Sequence, residues 1–132
     1  MEFAARLESL PEMLSFIKEN CIRFGLAKKS INKVELASEE AIVNIISYAY
    51  PHSLGKICIT FEQKEESIEI VLRDRGIPFN PLQIEADAEV KKPLHERKIG
   101  GLGIFLIEKL MDEVRYSREC DENVLSLIIH CP

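Results

Sequence analysis

The sequence predicts an α+β fold, a two-layer sandwich in which three helices pack on one face of a mixed, mostly antiparallel sheet. In three segments apolar residues recur at spacings of three and four, the period of an amphipathic helix. In four others they alternate with polar residues, the period of a half-buried strand. The order strand, helix, helix, two strands, loop, helix, two strands fits such a sandwich.

The chain of 132 residues is long enough for a single domain, residues 1–132, with a core of its own. Its composition, 46% hydrophobic and 30% charged, is that of an ordinary soluble protein. No apolar run approaches the ~20 residues of a membrane span and no signal peptide is visible, so we expect a cytoplasmic protein without membrane contact. The net charge of −5 argues against direct nucleic-acid binding, and the scattered cysteines and histidines predict no zinc site.

A short edge strand is predicted at residues 2–6, followed by a first helix. Ser9, with Pro11 in the first turn and Glu12 at the third position, resembles a capping box that opens this helix. Gly25 is placed to end it, because glycine adopts the left-handed conformation of a C-cap without steric cost.

The second helix is predicted to run from Ser30 to Tyr50 and carries the first candidate functional residues. Glu40 and Asn44 are four residues apart and share one face, whereas Glu39 is rotated by ~100° from Glu40 on a helix of 3.6 residues per turn. A carboxylate beside an amide oxygen suits a general base next to a hard-metal ligand. The other interpretation is an ordinary helical asparagine that points to water or caps a neighbouring group.

Two hairpins are predicted in the second half of the chain. Alternating apolar residues place the first at residues 57–61 and 68–72, joined by a polar turn. The second is placed at residues 114–117 and 124–129, with its turn at residues 121–123. Together with the first strand, these segments supply the five strands of the predicted sheet.

A long loop and a third helix are predicted between the two hairpins. Residues 80–99 show no sustained period, and a loop of this length in a compact domain is usually a lid or a binding loop. The helix follows a cluster of glycines at residues 100–103 and ends near Met111.

Two further places carry residues suited to a ligand. Asp74 and Gly76 follow a strand, where a carboxylate can accept a hydrogen bond from an amine and glycine lets a flat ring approach the backbone closely. An aspartate that bonds its own turn is the alternative. Gly101 and Gly103 at a helix start would leave N–H groups free for phosphate oxygens, unless they form only a flexible connector.

Taken together and in this order, three motifs resemble those of the RsbW-like anti-sigma-factor serine/threonine kinases, within the GHKL superfamily of histidine-kinase-like ATPases. SEEAIVN, which ends at Asn44, is similar to the N box; DRGIPFNP, which begins at Asp74, to the first glycine box; and GGLGIFLI, which begins at Gly100, to the second. The resemblance covers essentially the whole chain and implies the Bergerat ATP-binding fold with a mobile ATP lid at about residues 80–101. Relatives often have a small hydroxyl residue before the box asparagine, whereas this chain has Val43.

The resemblance implies a role for each motif residue. Glu40 is expected to be the general base, Asn44 the Mg²⁺ ligand and Asp74 the acceptor for the adenine amino group of ATP. Gly76 is expected to lie against the adenine. The other residues expected to bind the nucleotide are Pro78, Phe79, Arg97, Lys98, Gly100, Gly101, Leu102 and Gly103. For the two basic residues of this set, a solvated lid surface is the alternative.

The function implied by the resemblance is that of an ATP-dependent protein-serine kinase that phosphorylates a STAS-type anti-anti-sigma protein and, in its other state, sequesters a sigma factor. Relatives also suggest a homodimer. The alternative is a nucleotide-dependent switch that captures partners without transferring phosphate. A histidine-kinase module is disfavoured because the sequence shows no phosphoacceptor helix before the nucleotide-binding motifs, and an Hsp90- or MutL-like ATPase is disfavoured by size.

Overall fold

A computed structural model describes residues 1–83 and 103–131, and its elements follow the predicted order. The strands are β1 (Glu2–Ala4), β2 (Lys56–Gln63), β3 (Ser67–Asp74), β4 (Glu113–Glu119) and β5 (Glu122–His130). The helices are α1 (Leu10–Arg23), α2 (Lys28–Asn44) and α3 (Gly103–Leu110), with a π-helical turn at Ile45–Ala49 and 3₁₀ turns at Leu7–Ser9 and Pro81–Gln83. Within the described residues, no helix combines the length and apolar character needed to cross a membrane.

The five strands form one sheet in the order β1-β2-β3-β5-β4. The sequence predicts a mixed, mostly antiparallel sheet, and all four pairings between these described strands are antiparallel. Two of the pairings are hairpins, whose short turns allow only antiparallel neighbours. In the pairing of β3 with β5, Asp74 at the end of β3 lies opposite Asn123. This register brings two polar side chains together at one end of the sheet.

The core lies between the sheet and the helices. Its strand residues are β-branched or leucine side chains of one alternating parity, each at most 3% exposed: Ile57, Ile59, Ile68, Ile70, Leu72, Leu125, Leu127 and Ile129. Its helical residues include Met13, Ile17, Val34, Ala37, Ala41 and Ile42. Full burial of a valine, leucine or isoleucine side chain contributes about 1.5–3 kcal/mol, so this cluster holds the helices on the sheet.

Of the two predicted ends of α1, the N-terminal one is wrong and the C-terminal one is as predicted. The predicted capping box at Ser9 is wrong, because Ser9 ends a 3₁₀ turn with a helical backbone (φ −85°, ψ −10°) and its side chain makes no capping hydrogen bond. Gly25 has φ +80°, as predicted. The Gly25 N–H bonds to Ile22 O at 3.0 Å and the Leu26 N–H to Cys21 O at 3.1 Å, which are the two bonds of a Schellman motif.

The second helix departs from its predicted range at both ends. It begins at Lys28, before the predicted start at Ser30, and its α-helical part ends at Asn44. The predicted last turn is instead π-helical, Ile45–Ala49. Sequence periodicity could not separate the two geometries, because over one turn the spacings of an α-helix and a π-helix overlap. Asn44 therefore lies at a junction between helical forms, and π turns inside α-helices are frequent at functional sites.

The closing hairpin turns one residue earlier than predicted. Cys120 and Asp121 both have positive φ, 50° and 64°, as in the two-residue turns whose twist suits a hairpin. The sequence assigned Asn123 to the turn, and this assignment is wrong because Asn123 belongs to β5. Its side chain consequently lies inside the protein, with the residue 3% exposed.

Candidate nucleotide-binding site

Asn44 is buried and its side-chain amide has no hydrogen-bond partner. The residue is 1% exposed, and neither Oδ1 nor Nδ2 bonds to any residue within the described ranges. Leaving such a group unsatisfied costs about 1–3 kcal/mol, so native proteins seldom keep one without a functional reason. Among the residues that the structure describes, this amide is therefore available for a ligand.

Glu40 lies one turn before Asn44 and is half-buried, whereas its neighbour Glu39 is exposed. Burial raises the pKa of Glu40 above its ordinary value, and the negative charge of Glu39 raises it further. A higher pKa makes the ionised carboxylate a stronger proton acceptor. The difference in exposure agrees with the ~100° rotation between the two glutamates.

Asp74 ends β3 and begins a loop, residues 74–79, that we call the aspartate loop. It is 3% exposed, and its Oδ1 accepts the Gly76 N–H at 2.9 Å and the Asn123 Nδ2–H at 2.9 Å. The first bond is the turn interaction that the sequence left open as an alternative, and the second comes from another strand. Because both bonds end on Oδ1, Oδ2 has no hydrogen bond to the described residues and can accept one from a ligand.

The pKa of Asp74 is raised above its ordinary value. Burial is the largest cause, since it disfavours the charged carboxylate. The hydrogen bonds from Asn123 and Gly76 favour the charged form and offset part of this rise, and the Arg118 guanidinium acts in the same direction. Arg118 Nη1 also donates to Gly76 O at 2.9 Å, so it supports the backbone of the aspartate loop.

Asn123 is the centre of the hydrogen-bond network around this loop. Its Nδ2 donates to Asp74 Oδ1 at 2.9 Å and to Ile77 O at 2.8 Å. Its Oδ1 accepts the Phe79 N–H at 3.1 Å and the Tyr116 hydroxyl. An amide offers two N–H donors and two acceptor lone pairs, and here all four are used. Asn123 thus fixes both the carboxylate and the chain that follows it.

The sequence did not single out Asn123 because it was assigned to a turn. A signal was present in the alternation of the last strand, since Asn123 has the same parity as the buried Leu125, Leu127 and Ile129. If the predicted strand had begun at Asn123 instead of residue 124, the alternation would have placed this polar side chain on the buried face. A buried polar group needs partners, so that placement would have marked it as a candidate.

Gly76 packs against the π turn that follows Asn44. A Cβ added to Gly76 would lie 2.3 Å from Ala49 O, closer than a carbon and an oxygen that are not bonded to each other can approach. The Ile77 N–H donates to the same oxygen at 2.9 Å. These contacts are a reason for glycine at this position that the sequence did not reveal, and they join the aspartate loop to the helix of Asn44.

A pair of aromatic rings makes a second connection between the π turn and the aspartate loop. Tyr48 and Phe79 are stacked, with ring centroids 5.0 Å apart and an interplanar angle of 22°. Both residues are half-buried, and Pro78 beside Phe79 is exposed. Stacked rings of this kind contribute about 0.5–1.5 kcal/mol beyond the area that they bury. The two segments that carry Asn44 and Asp74 are therefore held together by side chains as well as by the backbone.

Most of the second glycine box and the basic residues before it lie outside the described residues. This applies to the predicted site residues Arg97, Lys98, Gly100, Gly101 and Leu102, and to residues 84–101 of the predicted lid. Gly103 is the first residue of α3. The roles expected for these residues stay predictions.

The side-chain amide oxygen of Asn44 is the candidate metal ligand among the predicted site residues. No group of three or more His, Cys, Asp or Glu side chains that could hold a metal lies in residues 1–83 and 103–131. The four cysteines are free, and burial raises the pKa of the Cys21 thiol to about 12. Mg²⁺ usually takes one or two protein oxygens and fills its other positions with water and phosphate oxygens. The unpaired Oδ1 of Asn44 is an oxygen of this kind.

The fold and the three motif regions define a class of protein. The family described as the histidine kinase-like ATPase domain matches residues 3–129, from the first strand to the last. The chain belongs to this family.

Within the family, the chain is similar to bacterial proteins named serine-protein kinase RsbW. It is 31% identical over 106 residues to the protein of Bacillus mycoides, an alignment that covers 78% of this chain and 66% of that protein. It is 36% identical over 101 residues to the protein of Oceanobacillus iheyensis, with 74% and 64% covered. The aligned region spans just under two thirds of the length of these relatives.

Proposed function

We propose that this chain is an ATP-dependent protein-serine kinase and anti-sigma regulatory factor, which phosphorylates a STAS-type anti-anti-sigma protein and sequesters a sigma factor. The observation that carries the proposal is the buried, unpaired amide of Asn44 one turn after Glu40. Membership of an ATPase-domain family supports ATP as the phosphate donor, and similarity to serine-protein kinase RsbW supports serine as the acceptor. The two partners follow from the resemblance of the motifs.

In this proposal, Asp74 binds the adenine end of ATP. Its Oδ1 is held by Asn123 and Gly76, which leaves Oδ2 to accept a hydrogen bond from the adenine amino group. Guanine carries a carbonyl oxygen at the corresponding position, so a carboxylate there would face another acceptor. A site built to pair with one hydrogen-bonding group rejects an analogue that lacks it, and the site should therefore select ATP against GTP.

The Asn44 side of the site would handle the phosphates. Its Oδ1 would hold Mg²⁺, which when bound neutralises charge on the phosphate oxygens. Glu40 would accept the proton of the incoming serine hydroxyl. As the bond from the serine oxygen to the γ-phosphorus forms, the bond from that phosphorus to the β,γ-bridging oxygen breaks and ADP leaves.

The test is phosphorylation of the STAS-domain proteins of the source organism. Purified chain, in excess over each STAS protein, is incubated with Mg·ATP, and phosphoserine is measured by mass spectrometry. We expect one STAS protein to be phosphorylated, and Glu40→Gln to slow the transfer by roughly 10²- to 10⁴-fold, the usual contribution of a general base. Glu39→Gln is the matched control and should keep most of the rate, because Glu39 is exposed and its charge is only the smaller cause of the raised pKa of Glu40.

The outcome also separates the kinase from a switch without kinase activity. If ATP binds but no STAS protein acquires phosphoserine at high enzyme concentration, the kinase assignment is wrong and the chain only captures partners. Co-purification from the native cell, followed by mass spectrometry, tests the anti-sigma part, since a sigma factor should be recovered with the chain.

A further inference from the structure

We propose that Tyr50 is a positioning residue for Asp74, which locks the aspartate loop to the end of the helix that carries Glu40 and Asn44. Its effect on ATP binding rests on the proposed function. Its effect on the position of Asp74 rests only on contacts in the protein, so the two can be tested separately.

The Tyr50 hydroxyl joins three separate segments of the chain. Tyr50 directly follows the π turn, and its hydroxyl donates to Lys56 O at 2.9 Å, at the start of β2. The same oxygen accepts the Arg75 N–H at 2.8 Å, from the residue directly after Asp74. The ordinary pKa of a tyrosine, 10.0, is far above neutral pH and burial raises the pKa of Tyr50 further, so the hydroxyl keeps the proton that it donates to Lys56 O.

The Tyr50 ring lies directly against Gly55. A Cβ added to Gly55 would lie 2.1 Å from one ring carbon of Tyr50 and 2.3 Å from the next. The ring therefore occupies the space that any other residue at position 55 would need for its side chain. Glycine at this position allows the hydroxyl to reach both of its partners at once.

Tyr50 continues a set of contacts that its neighbour Ala49 begins. Arg75 is bound by the Tyr50 hydroxyl, Gly76 abuts the Ala49 carbonyl, and the Ile77 N–H donates to that carbonyl at 2.9 Å. Three successive residues of the aspartate loop are thus fixed to two successive residues at the end of the helix.

The link reaches the carboxylate of Asp74 through two adjoining peptide groups. The Gly76 N–H is a hydrogen-bond donor to Asp74 Oδ1, and it belongs to the peptide group that Arg75 and Gly76 share. The preceding N–H, that of Arg75, is held by Tyr50. The Arg75 N–H belongs to the Asp74–Arg75 peptide group, and releasing it lets that group rotate. The adjoining Arg75–Gly76 group, whose N–H donates to Asp74 Oδ1, then shifts with it. Asn123, from another strand, donates to the same carboxylate oxygen, so Tyr50 should affect the orientation of the Asp74 carboxylate rather than its burial in the site.

The first test is amide hydrogen exchange of the unliganded protein, measured by NMR. In Tyr50→Phe, which keeps the ring over Gly55, we expect faster exchange at Arg75 and also at Gly76, whose N–H reports the bond to Asp74. Asn20→Ala is the matched control, because it removes another side-chain hydrogen bond to a backbone carbonyl, at 2.8 Å on α1. It should leave exchange at Gly76 unchanged. If Tyr50→Phe changes Arg75 alone, the inference is overturned.

The second test is a double-mutant cycle on ATP affinity, measured by calorimetry with Mg·ATP. Tyr50→Phe removes two hydrogen bonds, of which only the one from Arg75 bears on Asp74. Losing that bond should weaken ATP binding roughly 2- to 12-fold. In the Asp74→Asn background, the same change should have little further effect, because Tyr50 acts through Asp74. Equal losses in both backgrounds would show a merely structural role and overturn the inference.

The two proposals fail in different ways. If the wild-type protein does not bind ATP, the proposed function is wrong, and the exchange of Gly76 alone decides the role of Tyr50. If ATP binds but Tyr50→Phe leaves both the exchange of Gly76 and the ATP affinity unchanged, the proposed function stands and Tyr50 is not a positioning residue.

Discussion

Three side chains of the candidate site differ in how completely their hydrogen bonds are satisfied. Asn123 uses all four of its donor and acceptor positions, Asp74 uses one oxygen, and Asn44 has no partner among the described residues. A satisfied amide holds other groups in place, whereas an unsatisfied one is available to a ligand. In the proposed function, Asn123 therefore supports the site, and Asp74 and Asn44 contact the ligand.

Asp74→Asn should weaken ATP binding. The substitution keeps the shape of the side chain but puts an amide, which carries donors, where Oδ2 would accept the adenine amino group. A hydrogen bond to a charged group contributes about 1.5–3 kcal/mol, so the affinity should fall roughly 10- to 150-fold. Calorimetry with Mg·ATP measures this loss. An unchanged affinity would show that Asp74 does not bind adenine.

The same substitution should stabilise the unliganded protein in a pH-dependent way. Because the folded-state pKa of Asp74 is raised, the folded protein binds this proton more tightly than the unfolded chain does. That stabilisation is complete below the unfolded pKa, near the ordinary value of 3.8, and is lost as the pH rises through the folded pKa. Asp74→Asn removes the buried charge, so it should unfold at a higher temperature than wild type at pH 7.

The comparison across pH is the check on this prediction. The difference in unfolding temperature between Asp74→Asn and wild type should shrink as the pH falls from 7 towards 4, because Asp74 then becomes neutral in the wild type as well. Other carboxylates titrate in both proteins and largely cancel. A difference that is constant with pH would mean that the Asp74 charge does not cause it.

At the scale of elements, the π turn and the aspartate loop form one structural unit. Gly76 and Ile77 contact Ala49, and the Tyr48 and Phe79 rings stack. The turn thus places the end of the Asn44 helix directly against the segment that follows Asp74. This arrangement explains how two motifs that are far apart in the chain can serve one ligand.

Two glycines provide a matched test of this unit. Gly25→Ala would place a side chain at φ +80° in open space, so its cost is that of the left-handed backbone alone, about 1–2 kcal/mol. Gly76→Ala would push a Cβ to 2.3 Å from Ala49 O and force the two segments apart, at about 1–3 kcal/mol. Urea denaturation should therefore show similar losses of stability.

ATP affinity should separate the two variants. Gly76→Ala should weaken ATP binding, because the shift of the aspartate loop moves Asp74. Gly25→Ala should bind ATP as wild type does, because Gly25 ends α1 and contacts no residue of the site. If both variants lost affinity equally, the loss would reflect general stability rather than the position of the loop.

At the scale of the whole molecule, local sequence signals predicted the elements, and contacts between distant residues decided the details. The periods predicted the three helices and four of the five strands of the described residues, since each period is visible within one segment. The capping box at Ser9 and the turn at residues 121–123 were wrong because boundaries depend on backbone geometry. The π turn was missed for the same reason.

The same difference between local sequence signals and contacts between distant residues applies to the candidate site. Glu40, Asn44 and Asp74 were selected from their spacing and from the short motifs that contain them, and both signals are visible within one segment of the sequence. Asn123 and Tyr50 were not selected, because their contacts with the aspartate loop are distant in sequence. Asn123 bonds to Asp74 across 49 residues, and Tyr50 bonds to Arg75 across 25 residues. A single sequence shows which residues could contact a ligand more readily than which residues hold them in place.

Ligand binding should stabilise the whole domain, because the site joins α2, the π turn and the end of β3 into one unit. ATP that binds only the folded state adds RT ln(1 + [L]/Kd), which is about 2.7 kcal/mol at one hundred times the Kd. For a domain of this size, that corresponds to a rise in Tm of roughly 8–13 °C. Wild type and Glu40→Gln should show the same rise with Mg·ATP, because the proposed role of Glu40 is in transfer and not in binding. Asp74→Asn should show little rise at the same ATP concentration, and a full rise would contradict the assignment of Asp74 to the nucleotide.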